Sequence, residues 1–202
     1  MTNEEKINAR REILIDVKER LDTNKLRIIQ GRYIEGEIPK EICNKELQPN
    51  IDIVEASCGV CAKGAMFLST IRKFNDYVLD SQYTSKLYFG SPRYDKYCHT
   101  NLWNEKICEP LLKYFDEREL ALIECAFEGR LATREPFLGE YDRDEETSDI
   151  VKDVIKAKEY YIFYGCKKVK PSEILLQIVN DMLANNTYFD MRLPEETNEA
   201  SS

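Results

Sequence analysis

The residues with the most chemistry in this chain are two cysteines three positions apart, Cys58 and Cys61, in the run EASCGVCAKGAMFLSTIRKF at 55–74. A Cys-x-x-Cys pair that opens a helix suits a dithiol redox couple, because the orphan N–H groups and the helix dipole stabilise the first thiolate. The same pair would supply half of a structural zinc site, and Cys98 with His99 is the second close pair. The spacings C-x2-C and C-H-x8-C, the latter ending at Cys108, follow no standard zinc pattern. Adjacent cysteine and histidine also rarely bind one ion. The third reading is packing. Ala62, Gly64 and Ala65 continue a run of small residues that lets a neighbour approach closely. With Ile71 at the centre of the helix's apolar stripe, Cys61 lies about 80° away, at the border of the core, and Cys58 about 140° away, at or before the first turn. Dithiol motifs normally follow a strand, and NIDIVEAS ahead of this one reads at best as a short extended piece, so packing is preferred.

His99 is the only histidine, which limits triad chemistry, and no serine lies in a nucleophile elbow. Gly-x-Gly-x-x-Gly, Walker and His-Glu-x-x-His motifs are absent. Glu124 and Glu128 stand i,i+4 on one helix and would suit cation binding or acid–base work. A solvated face opposite Leu120, Ile123 and Phe127 explains them more simply. A further candidate is a pair of aromatic and basic loops. Arg32 and Tyr33 lie in GRYIEGE, and Arg93, Tyr94, Lys96 and Trp103 lie in LYFGSPRYDKYCHTNLW. Arginine forks and tyrosine rings suit a pocket for a nucleotide-like ligand or a partner peptide, with Arg32, Arg93 and Lys96 meeting phosphate or carboxylate.

These residues need a frame. The 202 residues fit one domain, and 43% hydrophobic content fills a core. A net charge of −8, from 29 basic and 37 acidic residues, disfavours broad binding to a nucleic-acid backbone. No apolar run reaches the roughly 20 residues of a membrane span, and the charged start MTNEEKINARREILIDVKER lacks an apolar signal region. A cytoplasmic setting is therefore expected, with the seven cysteines mostly as thiols.

Periodicity sets the elements. Residues 2–22 read as a helix with a Thr2/Glu5 capping box and an apolar face of Ile7, Leu14, Val17 and Leu21. KLRIIQGRYIEGEIP reads as a short helix or extended piece to about Gly31, followed by a loop to about 55. Val60, Gly64, Phe67, Ile71, Phe74 and Val78 form the stripe of a helix running to about Leu79. Further helices are expected at 101–114, interrupted by Pro110, from an Asp116/Glu119 capping box to Gly129, from 150 to Gly165, and after Pro171. Residues 130–146 read as a polar loop. Strand-like alternation is weak throughout. The expected fold is all-α, a single domain of six to seven helices with long loops over 1–193, with a disordered polar tail at 194–202.

The motif CGVCAKGAMFLSTIRKFNDY resembles a Cys-x-Val-Cys-Ala-x-Gly-Ala helix motif of small uncharacterised phage and bacterial proteins. The likeness extends to LIECAFEG and ILLQIVNDMLANNTYFD. That family has no assigned activity, so the resemblance implies a genetic setting and no catalytic residue. It implies a non-enzymatic, acidic phage-type protein in the host cytoplasm, binding a host protein or small ligand and possessing no cofactor, for example as an inhibitor of a host-defence component. A redox or zinc protein built on Cys58, Cys61, Cys98 and His99 is the alternative.

Overall fold

The structure, a computed structural model, describes residues 1–30, 34–37, 51–74, 86–89, 110–128, 164 and 169–189. Helices dominate the described residues, in keeping with the helical periodicities of the sequence. The first, α1 (Asn3–Asp22), starts where expected. Thr2 Oγ1 accepts from the Glu5 N–H at 3.2 Å, and Glu5 Oε2 accepts from the Thr2 N–H at 2.7 Å. The helix stops where Thr23 N–H returns to Glu19 O and Asn24 turns left-handed at φ 52°. Its buried side holds Ile13, Leu14, Val17 and Leu21, and also two charged residues, Arg10 and Asp16.

Four short strands follow in a pattern that the alternation of the sequence did not signal: β1 (Arg27–Ile28), β2 (Ile34–Glu37), β3 (Cys58–Val60) and β4 (Lys86–Phe89). Their order in the sheet is β1-β3-β2-β4. The β1–β3 pair is parallel, and the β3–β2 and β2–β4 pairs are antiparallel. Strands of two to four residues are too short for a period-2 pattern to stand out.

The stretch around the cysteines departs from expectation. IDIVEAS is a helix, α2 (Ile51–Ser57), rather than a loop or an extended piece. Cys58, Gly59 and Val60 are then the central strand β3 rather than the first turn of a helix. Both edges of β3 are engaged, by β1 and by β2, so ladder pairing overrides any helical tendency here. Helix α3 (Ala62–Phe74) begins after Cys61. Every residue of α3 from Ala62 to Ile71 is buried, so it is a central helix apolar on more than one stripe.

Helix α4 (Glu117–Glu128) packs on α3, and α5 (Pro171–Ala184) packs on α1 and α4. Pro171 occupies the first turn of α5, where its missing N–H costs nothing. Ile174, Leu175, Ile178, Val179 and Met182 are buried, and Leu183 is half-buried. Of the expected helix over 101–114 only the end is described. Leu111 and Phe115 are buried there, and Phe115 N–H bonds to Leu111 O at 2.8 Å. Of the one over 150–165 only Tyr164 is described; it is buried, and its hydroxyl donates to Asp181 at 2.7 Å. The tail at 194–202 lies outside the described residues. No helix among the described residues is long and apolar enough to cross a membrane.

Candidate functional site

The sheet brings together two segments that are far apart in sequence. Strand β2 runs antiparallel to β4 with Ile34 opposite Phe89, Glu35 opposite Tyr88, Gly36 opposite Leu87 and Glu37 opposite Lys86. The Ile34–Phe89 pair is therefore the common end from which the chain leads back to Arg32 and Tyr33 and onward to Arg93 and Tyr94. Arg32, Tyr33, Arg93, Tyr94, Lys96 and Trp103 themselves lie outside the described residues, as do Cys98 and His99.

One register row crosses the whole sheet: Arg27, Gly59, Glu35, Tyr88. Arg27 is exposed, and its Nη2 donates to Glu35 O at 3.3 Å, so its side chain spans β3. It crosses at the one residue of the strand without a side chain. A Cβ on Gly59 would stand 3.1 Å from Arg27 Cζ and Nε. Sequence reasoning did not single out Arg27. The glycine between the two cysteines was the available signal, since a glycine inside a strand often marks close approach of another group.

The cysteines face the other way. Cys58 and Cys61 are both buried, in the core cluster with Val60, Ala62 and Ala65. Cys61 is fully enclosed rather than at the border of the core, because the core surrounds α3 on all sides. Burial pushes the Cys58 thiol up to about 11, with nearby Arg27 opposing weakly. A nucleophilic dithiol needs the reverse, a thiol pulled down toward neutral pH. Among the described residues, no group of three or more His, Cys, Asp and Glu is placed to hold a metal ion.

Charge inside the fold forms a second feature. Lys63, in the first turn of α3, pairs with Glu124 of α4, and both are buried. The expected solvated face for Glu124 is thereby corrected: α3 lies against that side of α4 and supplies the counter-ion. Asp16 of α1 takes Ser69 Oγ at 2.8 Å and Arg72 Nη1 at 2.5 Å from α3, and Lys73 stands 3.7 Å away. Glu55 of α2 pairs with the same Arg72 and with Arg20 of α1 at 3.0 Å. Desolvation raises the Glu55 carboxyl above its usual range, against the pull of Arg72 and Arg20.

The third charged cluster centres on Arg10. Its guanidinium pairs with Glu119 and donates from Nε and Nη2 to Thr187 O at 3.2 and 2.8 Å. Phe115 and Tyr188 rings flank it at 4.7 and 4.2 Å from ring centroid to Cζ. Glu119 was expected to complete a capping box with Asp116. Its carboxylate instead turns inward, where Oε1 serves Arg10 and the Phe189 N–H. Sequence gave no warning of this, since Arg10 and Glu119 are 109 positions apart.

Comparison with known proteins finds no matching family model, no matching curated sequence and no matching solved structure.

Proposed function

We propose that this is a non-enzymatic binding protein of phage type, with its binding surface at the β2–β4 end of the sheet. The supporting observation is the antiparallel pairing of β2 with β4, which gives the two aromatic and basic segments a common origin at Ile34 and Phe89. Arg32, Tyr33, Arg93, Tyr94, Lys96 and Trp103 would meet a host protein or a small nucleotide-like ligand, with the arginines on phosphate or carboxylate. Arg27, exposed on the same sheet, extends the basic character of the surface. The buried charged groups support a scaffolding role for the rest of the molecule: Arg10, Asp16, Lys63, Glu119 and Glu124 are engaged in ion pairs between helices. The phage setting rests on the motif resemblance, and inhibition of a host-defence component is the action it suggests.

Native mass spectrometry of the purified protein, followed by pull-down from a bacterial host lysate, tests the reading. A single bound ligand or partner is expected, with Arg32→Ala combined with Arg93→Ala weakening its binding by about tenfold or more at unchanged thermal midpoint. Turnover of a nucleotide or peptide by the clean protein would sink the proposal, and so would capture that is indifferent to both arginines.

A further inference from the structure

Gly59 is buried although it turns away from the core. Its neighbours Cys58 and Val60 belong to the core cluster, so the alternation of a strand directs Gly59 to the opposite face of the sheet. Arg27 of β1 and Ile29 just after it cover the glycine there. The position a Cβ would take lies 2.8 Å from Ile29 Cγ2 and 3.1 Å from both Cζ and Nε of Arg27. Those two Arg27 atoms share the bond at the root of the guanidinium. An edge-on group would present Nη1, Nη2 or Cδ first, so this guanidinium lies face-on to the strand. From there Nη2 donates to Glu35 O at 3.3 Å, which carries the group from β1 across β3 to β2.

A guanidinium laid flat in this way has one face on the backbone and the other outward, and Arg27 is exposed. Its charge is also uncompensated. Arg10, Arg20 and Arg72 are each paired with carboxylates, whereas Arg27 bonds, among the described residues, to a neutral carbonyl. A flat cation with half-buried Ile29 beside it suits stacking against a planar, electron-rich ring. The next register row, Ile28–Val60–Ile34–Phe89, is the end of the sheet from which the two basic segments leave. A ligand that joins a planar ring to an anion therefore fits this surface better than a ring alone.

We infer that Arg27, spread over Gly59, is a stacking platform for the base of a nucleotide whose phosphates are directed to the loop end of the sheet. The inference rests on the nucleotide-like ligand of the preceding reading, and it assigns the recognition of the base to described residues. Gly59 is what lets the platform lie flat, since any side chain there would lift the guanidinium off the strand.

Calorimetric titration of the full chain with ATP and with inorganic triphosphate tests it. Wild type is expected to bind ATP at least about tenfold more tightly than triphosphate, because stacking holds the base. Arg27→Lys keeps the charge and loses the plane. It is expected to abolish the ATP preference while leaving triphosphate affinity within about twofold and the thermal midpoint unchanged. Arg32→Ala with Arg93→Ala should weaken both ligands alike. A preference that survives Arg27→Lys overturns the platform, as does a wild type that binds the two ligands equally or binds neither. Equal weakening of both ligands by Arg27→Lys would make Arg27 a point-charge contact and overturn it too. If the preference depends on Arg27 but binding ignores Arg32 and Arg93, the platform stands and the loop surface of the preceding reading falls.

Discussion

A methyl group on Gly59 would sit 2.8 Å from Ile29 Cγ2 as well as against the Arg27 side chain. Gly59→Ala must therefore displace the Ile29 and Arg27 side chains, and a loss of about 1–3 kcal/mol is expected in urea unfolding. Arg27→Ala in the same background should return part of that loss by clearing one of the two contacts. Cys58 predicts a pH effect whose sign follows from its raised thiol. The folded state holds that proton more tightly than the unfolded chain, so the contribution to stability is whole below the unfolded value of 9.0 and is lost as pH rises through about 11. Urea midpoints measured across this interval should fall more steeply for wild type than for Cys58→Ala. Lys63 and Glu124 give a third test. Lys63→Met removes a cation from a buried carboxylate and should cost about 3–5 kcal/mol, whereas Lys63→Met with Glu124→Leu should recover most of it. These residues show where the sequence stopped speaking. The closeness of packing at CGVC was legible from its small residues. The partners were not, because Lys63–Glu124 and Arg10–Glu119 join helices that only the tertiary fold brings together.

Helices announce themselves through a repeat over ten or more residues, and α1, α4 and α5 were legible for that reason. The Thr2–Glu5 cap was legible too, since it is set by local spacing. Thr2→Ala should fray the first turn of α1, seen as faster exchange of its leading amides. The hydrogen bonds from Thr2 hold the Glu5 carboxyl below its ordinary value of 4.5. This contribution is present above that value and disappears as pH falls through the lower folded one, so acid should produce the same fraying in wild type. Strands were harder to read. With two residues in β1 and three in β3, their identity lies in the ladder partners and not in their own pattern. The same shortness hid α2: its buried Ile51, Val54 and Glu55 stand at i, i+3 and i+4 on one face, but seven residues leave that pattern no room to repeat, and one of the three is charged.

Across the molecule, ion pairs connect the helices: α1 with α4 through Arg10–Glu119, α1 with α3 through Asp16–Arg72, α1 and α3 with α2 through Glu55, and α3 with α4 through Lys63–Glu124. Apolar surface alone does not fix how such helices slide on one another. Charged pairs in the interior would penalise a wrong register, because each misplaced partner is a buried charge left alone. Salt penetrates poorly to these sites, so the urea midpoint should move little between about 0.05 and 1 M sodium chloride, in contrast to a fold held by surface pairs. The helical class of the molecule was legible from sequence; the wiring between its helices was not, since every pair is long-range.

The strand order has a consequence in time. β1 and β2 leave the ribosome before β3, yet β3 is the strand that separates them in the finished sheet. The first two strands have no described pairing with each other to wait in: β1 pairs with Cys58–Val60, and β2 pairs with the same tripeptide and with β4, which is made later still. A nascent chain that stops short of this tripeptide cannot begin the sheet, however well α1 has already wound. The residues between the two cysteines are thus a scheduling point in synthesis, the moment at which an N-terminal helix becomes part of a protein.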